Sequence, residues 1–491
     1  MTLRPAAGAA TDLLIGGALV PAADGGTFVT YNPATEEPIG AAADASAADM
    51  DAAIAAARRA FDTTEWSRDH AFRARCLRQL RDALQERIEE LREATIAEVG
   101  APAFFTTGPQ LEGPIADLGY FADLAEQYAW ETDLGIASTM GIQSQRRVRR
   151  EAIGVVGAIT PWNFPHQINF AKIGPALAAG NTVVLKPAPD TPWAAALVAK
   201  VAAEHTDIPA GVLNVVTSAD HELGAQLSTD PRVDLVTFTG STETGKAVMA
   251  AAAQSLKKVF LELGGKSAVV VLDDADLSTA CTMAAFNVAT HAGQGCAITT
   301  RLVVPRAQLD EATKITADAL AGLAPGDPAD GGTICGPLIS ARQRERVEGY
   351  LRLAQEEGGT IVCGGGRPAG RDRGYFIEPT LITGLDNSSR TAQEEIFGPV
   401  LVILPHDGDD DAVRIANDSP YGLSGAVWGG DTARVERVVG AIRTGTLGVN
   451  GGLWYAVDVP FGGYKQSGIG REMGVAGFEE YLETKAVAYP V

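Results

Sequence analysis

The sequence reads as an α/β protein, a parallel sheet wound with helices on both faces. From about residue 152 onward, short β-branched runs alternate regularly with helical stretches. Parallel strands need that alternation, because each crossover must carry the chain back over the sheet before the next strand begins. The composition agrees: 46% hydrophobic and 21% charged over 491 residues is ordinary for a globular chain, and that length predicts two to four domains.

The elements follow in order. In residues 45–99, ADMDAAIAAARRAFD and LRQLRDALQERIEELREATIAEV repeat apolar residues at helical spacing, so two or more amphipathic helices are expected. VVGAIT is a buried strand, and PHQINFAKIGPALAAG a helix stopped by Gly180. TVVLKP, GVLNVV, VDLVTF and KKVFLEL are the next strands, separated by the helices TPWAAALVAKVAAEH, HELGAQLS and TETGKAVMAAAAQS. After 263 a second series opens with SAVVVLDD, ADLSTACTMAAFNVATHAG and RLVVP, then runs through a Gly/Asp-rich region to EIFGPVLVILPH. IVCGGGRPAG precedes no phosphate-binding helix and reads as a loop. The chain closes on a helix end and an extended tail, EYLETKAVAYPV, which suggests a partner surface.

With 61 acidic against 40 basic residues the net charge is −21, which repels nucleic acid and anionic membranes alike, and neither partner is expected. The five cysteines (Cys76, Cys281, Cys296, Cys335, Cys363) are scattered and form no C-x-x-C pair. Neither a disulfide framework nor a zinc site is expected, and a reducing cytoplasm is the expected location. The six histidines show no ligand spacing, so no metal is expected. No apolar run reaches the ~20 residues of a membrane span. The N-terminal MTLRPAAGAATDLLIGG, broken by Asp12, does not read as a signal peptide.

FTGSTETGKA, residues 238–247, matches G-x-x-x-x-G-K from Gly240 to Lys246. A triphosphatase needs a hydroxyl at the next position to hold magnesium, and Ala247 has none. The stretch instead follows the strand VDLVTF and opens a helix, where free N–H groups favour phosphate. Alone, it is equally a helix cap. Cys296, in AGQGCAITT, is flanked by small residues and is either a nucleophile or a buried small hydrophobe. Glu262 ends an apolar strand, where a carboxylate is costly unless paired or functional, and it is either a general base or a strand-end ion pair. Asn163, in PWNFP, sits on a turn fixed by two prolines and donates either to an oxyanion or to its own turn. Lys186 ends TVVLKP on the same rim as Asn163 and Ser241, which favours a shared site over a solvated lysine.

Together these stretches resemble the aldehyde dehydrogenase superfamily. PWNFP, LKPA, FTGST, LELGGK, GQGC and EEIFGPV stand in the family's order and spacing, and the likeness runs from LLIGGALVPA to PFGGYKQSGIGRE. The resemblance implies a Rossmann-type cofactor domain (1–126 and 149–262), an α/β catalytic domain (263–462) and a small β oligomerisation region (127–148 and 463–491). A homodimer or homotetramer is implied with it. The implied activity is oxidation of a small-molecule aldehyde to its carboxylic acid with NAD(P). Cys296 then resembles the nucleophile that forms a thiohemiacetal and, after hydride loss, a thioester. Asn163 and the Cys296 N–H would hold the oxyanion, and Glu262 would activate the hydrolytic water, which sets this chain apart from the branch that acylates coenzyme A.

Lys186 joins that catalytic rim and would contact the adenine-side ribose, with Gly240 and Ser241 at the pyrophosphate. Ile159, Thr160 and Trp162 would line the cofactor cleft, Glu395 and Phe397 would position the nicotinamide ribose and ring, and Gln343 is a further cofactor contact. NAD-preferring relatives often carry a glutamate three residues after the strand-end lysine, and here that position is Pro189, beside Asp190. NAD is expected, with NADP left open. Phe164, Ile168, Trp454, Tyr455 and Phe461 fall where the family shapes its aldehyde tunnel. That set favours a medium-chain aliphatic or aromatic aldehyde, with a semialdehyde or betaine aldehyde as the alternative. A catalytically silent dinucleotide-binding protein would have lost one of Cys296, Glu262 and Asn163, and all three are intact.

Overall fold

The apolar runs of the first series lie side by side and parallel, in the order Leu213–Val215, Thr182–Lys186, Val155–Ile159, Leu235–Thr239, Lys258–Glu262. The computed structural model describes residues 12–491; the stretch before it, where no signal peptide is expected, lies outside the described residues. A hairpin, Leu13–Ile15 with Ala18–Val20, extends one edge of this sheet, and Gly468–Ile469 extends the other. The strand order carries the functional information. From Val155–Ile159 the chain winds outward through Thr182–Lys186 to Leu213–Val215, then crosses back to lay Leu235–Thr239 on the opposite flank. This reversal opens a crevice at the carboxyl ends of Val155–Ile159 and Leu235–Thr239, the place where such sheets bind ligands.

The expected N-terminal helices are Ala47–Thr63, His70–Glu86 and Ile88–Val99, and Ser46 starts the first through a reciprocal capping box with Asp49. Helices Pro165–Ala178, Pro192–His205, Glu222–Thr229 and Thr242–Ala252 join the parallel strands. Each face of the sheet packs into its own apolar cluster.

The second series forms another sheet, ordered Thr360–Cys363, Thr380–Thr383, Val400–His406, Thr299–Pro305, Ser267–Val271, Gly425–Trp428, Gly448–Val449. Only the first of these runs antiparallel to its neighbour. The segment IVCGGGRPAG, read from the sequence as a loop, therefore begins as an edge strand. Thr360, Ile361 and Val362 are β-branched and favour a strand; Thr360, Ile361 and Cys363 pair across it with an irregularity at Val362, and the glycines turn the chain only after it.

A third, antiparallel sheet consists of Glu131–Thr139, Ile142–Ala152 and the tail Leu482–Pro490. Its hairpin turns at Met140 (φ 53°) and Gly141 (φ 83°), two successive left-handed residues as a tight two-residue turn requires. Among the described residues no helix is long and apolar enough to cross a membrane. All five cysteines are free.

The two large sheets meet end to end. Strand Lys258–Glu262 finishes the first, and after four intervening residues Ser267–Val271 starts in the second. Ser267 pairs with Thr299, so the loop just before Thr299 is laid against the linker that follows Glu262. That loop carries Cys296.

Candidate active site

Helix Leu277–Ala289 gives way to a bend in which His291 (φ 48°), Ala292 (φ 53°) and Gly293 (φ 70°) are all left-handed. For the two residues with a Cβ this conformation costs roughly 1–2 kcal/mol each, the kind of strain that persists only where surroundings enforce it. Gln294 enforces it: its buried amide donates to the carbonyls of His291 and Pro337, both at 3.1 Å, and its oxygen accepts from the Ile339 N–H at 2.9 Å. Cys296 leaves this bend half-buried. A Cβ on Gly265 would lie 2.6 Å from the Cys296 carbonyl oxygen, and one on Gly264 would collide with the Glu395 carboxylate. Only glycines let the linker pass between the two. Burial, and then the carboxylates of Glu262, Glu395 and Glu472, hold the Cys296 thiol well above the ordinary range. The resting group is a neutral thiol.

Glu262 is 1% exposed, and neither carboxyl oxygen has a hydrogen-bond partner among the described residues. Burial and the neighbouring Glu472 raise its pKa well above the carboxylate range, against the opposing pull of Lys172 and Arg471. Behind it lies a buried ion pair: the Lys172 ammonium donates to Glu472 Oε1 at 2.7 Å and to Thr237 Oγ1 at 2.9 Å. Gly462 packs directly on the Glu262 carboxyl. Sequence reasoning named neither Lys172 nor Glu472. The one available signal was a lysine inside the apolar helix segment INFAKIGPALA.

Asn163 is buried, and its amide donates across the chain to the Gln294 carbonyl at 3.0 Å while its own carbonyl accepts from Gln110 Nε2 at 2.9 Å. The side chain is thus tied to the Cys296 loop rather than to its own turn, with one amide hydrogen left over. Cys296, Ala297, Trp454 and Tyr455 pack against a buried cluster of Ala171, Leu423, Phe461 and Met473. Trp454 stacks on Phe461 with centroids 5.5 Å apart and planes 6° from parallel. Phe164 meets the His291 ring edge-on at 5.3 Å, and burial pushes that imidazole down to about 4, so it is neutral. Ile168 is buried in helix Pro165–Ala178 and is not part of this cluster.

The remaining residues gather along the crevice. Ile159 and Lys186 are cross-strand neighbours at the strand ends. Lys186 is not beside the thiol; its buried ammonium reaches only the Ser218 carbonyl, at 3.4 Å, and burial lowers its pKa to about 8. Gly240 leads to Ser241, the exposed N-cap of helix Thr242–Ala252, whose hydroxyl accepts from the Thr244 N–H at 3.2 Å. Thr160 is buried and spends its hydroxyl on Asn169 Oδ1 at 2.7 Å, which leaves only its backbone for the cleft. Trp162 meets Phe397 edge-on at 5.4 Å, and Phe397 is held left-handed (φ 63°) by Gln343, whose amide donates to its carbonyl at 2.7 Å. Glu395 accepts from the Gly265 N–H at 3.0 Å, and burial raises it to about 7. Pro189 offers no carboxylate; burial raises the pKa of Asp190 against the opposing effect of Arg342 and His221. An uncovered helix N-terminus at the sheet's reversal and a buried ammonium with one long contact fit a dinucleotide.

Known proteins share both the sequence and this arrangement. The profile of the aldehyde dehydrogenase family matches residues 20–487. The chain belongs to the aldehyde dehydrogenase family. A 3-succinoylsemialdehyde-pyridine dehydrogenase of Pseudomonas sp is 44% identical over 463 residues, spanning 93% of this chain and 94% of the relative. The crystal structure of an aldehyde dehydrogenase of Mycobacterium tuberculosis complexed with NAD+ superposes with a TM-score of 0.93 at 44% identity, covering 98% of this chain and 99% of that one. A Pseudomonas syringae aldehyde dehydrogenase C mutant, in complex with NAD+ and octanal, gives 0.93 at 38% identity over 99% and 98% of the two chains.

Proposed function

We propose that this aldehyde dehydrogenase oxidises a medium-chain aliphatic or aromatic aldehyde to the free acid with NAD+, through a covalent intermediate on Cys296. One observation carries the reading: a half-buried thiol lies within electrostatic reach of a fully buried carboxyl that has no partner, at the junction of two sheet ends. An unpaired buried carboxyl costs stability and is retained where it has a task.

The Glu262 carboxylate first takes the Cys296 thiol proton and passes it to solvent; attack of the resulting thiolate on the aldehyde carbon then develops charge on the oxygen. The free amide hydrogen of Asn163 and the Cys296 N–H are the donors for it. Bound NAD+ would supply the hydride acceptor. Loss of hydride from that carbon leaves a thioester on Cys296. Trp162 and Phe397, braced by Gln343, would flank its ring, with Glu395 at the nearby ribose, Ser241 and the helix N-terminus at the pyrophosphate, and Lys186 at the distal ribose. Glu262 as carboxylate then takes a proton from water, the resulting hydroxide adds to the thioester carbon, and the thiolate leaves with the acid formed. Lys172 and Glu472, directly behind Glu262, govern how readily it releases and regains that proton.

The three sheets support a division into cofactor, catalytic and bridging parts, the last built from residues 131–152 and 482–490 and serving as the contact between copies. Free cysteines throughout suit a reducing cytoplasm. The test follows reduced cofactor at 340 nm with hexanal, benzaldehyde, succinic semialdehyde and betaine aldehyde, each with NAD and NADP, beside Cys296→Ala. Turnover with hexanal or benzaldehyde and NAD, abolished in the variant, is expected. A protein that binds NAD but oxidises none of the four would overturn the reading.

A further inference from the structure

Position 189 holds no carboxylate, so any discrimination between NAD and NADP comes from elsewhere in the chain. Strand Leu213–Val215 lies beside Thr182–Lys186, and the Val216 N–H still donates to the Leu185 carbonyl at 2.9 Å. The loop that follows therefore passes the Lys186 ammonium, which meets the Ser218 carbonyl. Ser218 and its successor also carry two donors, the Ser218 hydroxyl and the Ala219 N–H, and Asp44 takes both. Its Oδ1 accepts from the hydroxyl at 2.7 Å and from the N–H at 2.9 Å. Asp44 is fixed there through its backbone. Its own N–H donates to Gly26 at 2.9 Å, the Ala45 N–H donates to the Thr217 carbonyl at 3.0 Å, and the Thr217 hydroxyl donates to the Ala43 carbonyl at 2.8 Å. Residues 43–45 are thus laced to the loop that flanks Lys186, from 174 positions away in the sequence.

Ser218 is buried and Ala219 exposed, so the loop turns from the interior to the surface at the point that Asp44 grips. A ribose 2′-phosphate carries about −1.5 to −2 charges at neutral pH and is held by cations and by N–H or O–H donors. Here the cation is in place, but the two donors next to it already serve a carboxylate of the protein, and like charge would meet like. A 2′-hydroxyl brings no charge and needs neither donor. We propose that Asp44 makes this enzyme selective for NAD: its carboxylate fills the anion position that the Ser218 hydroxyl, the Ala219 N–H and Lys186 would otherwise offer a 2′-phosphate. The assignment rests on the reading above, in which Lys186 meets the distal ribose. Asp220, the other carboxylate of the loop, is exposed and accepts from the Glu222 N–H at 2.8 Å. Both carboxylates act on the Lys186 ammonium, but only Asp44 occupies the two donors.

Calorimetric titration with NAD+ and with NADP+, no aldehyde present, reads affinity apart from turnover. The wild type is expected to bind NAD+ more tightly than NADP+ by about tenfold or more, as like charges set against each other predict. Asp44→Ala bares both donors and removes the charge, so the NADP+ Kd should fall by about tenfold or more relative to that of NAD+. Asp44→Asn keeps an acceptor for both donors and loses only the charge, so it should move the ratio the same way by a smaller factor. Asp220→Asn removes a charge and frees neither donor, and it too should move the ratio less than Asp44→Ala. If the alanine variant does not fold, the asparagine variant must still shift the ratio toward NADP+. A wild type that binds both dinucleotides equally overturns the assignment. So does a ratio that neither Asp44 substitution moves, or one that Asp220→Asn moves as far as Asp44→Ala. Lys186→Ala should weaken both dinucleotides. If it weakens neither, the placement of Lys186 at the ribose is wrong and the inference falls with it, whereas a ratio unmoved at Asp44 beside a weakened Lys186 variant overturns the role of Asp44 alone.

Discussion

Cys296 and Glu262 share a difficulty: each must lose a proton to act, and burial holds the proton on both. A raised pKa on each means that the reactive form gains as pH rises, so kcat should climb as pH is taken from 6 to 9. A profile that is flat, or falls with pH, would contradict that assignment. Glu262→Gln keeps the shape of the side chain and removes the base. Stopped-flow mixing with hexanal and NAD+ should then show a burst of NADH of about one equivalent, followed by steady turnover lower by roughly 10²–10⁴. Unchanged turnover would remove Glu262 from the deacylation step. Cys296, Glu262 and Asn163 were legible because each stands in a short, distinctive stretch. Lys172 and Glu472 were not, since 300 residues separate them and only the fold brings their charges within 2.7 Å.

The Lys172–Glu472 pair also joins helix Pro165–Ala178 to the segment that leads into Gly474–Glu479, so it tests how the elements are fastened. With side chains 0% and 5% exposed, removal of either partner strands a charge in the interior. Lys172→Met should therefore cost about 3–5 kcal/mol, whereas Lys172→Met with Glu472→Gln should recover most of that, because no charge is left behind. Urea unfolding monitored by fluorescence provides the comparison, and a double variant as unstable as the single one would mean that packing, not charge, is at issue. Hydrophobic alternation announced the five parallel strands of the first sheet and the helices between them, but not the hairpin and the short strand at its edges. Two further things were beyond it. The order of strands depends on which crossovers go left or right, and that order alone creates the crevice between Ile159 and Gly240. At residues 360–363 three β-branched residues outweigh the glycines that follow them, and an edge strand forms where composition indicated a loop.

The hairpin 131–152 is poorly explained as part of a lone chain. Leu134, Ile136, Met140 and Ile142 are 52%, 57%, 96% and 67% exposed, a density of apolar side chains that marks a contact surface. Beside them Arg146, Arg147, Arg149 and Arg150 make a basic stripe in a protein of net charge −21, and Glu131 answers only two of the four. A positive, partly apolar ribbon of this kind would suit the acidic surface of a second copy, in line with the proposal above, and the outer strand Glu131–Thr139 has a free edge among the described residues. An interface of at least about 1,000 Å² is needed for a stable assembly, and a hairpin of this length contributes to one without closing it alone. Light scattering behind a sizing column should thus return a dimer or tetramer for the wild type. The triple variant Leu134→Ser, Ile136→Ser, Ile142→Ser should shift it toward the 51.1 kDa monomer. If the arginine stripe contributes attraction, the triple variant should dissociate further at 1 M salt, where the screening length shrinks to about 3 Å. A wild-type monomer, or a variant whose mass does not change, would mean that the hairpin faces something other than a second copy of this chain.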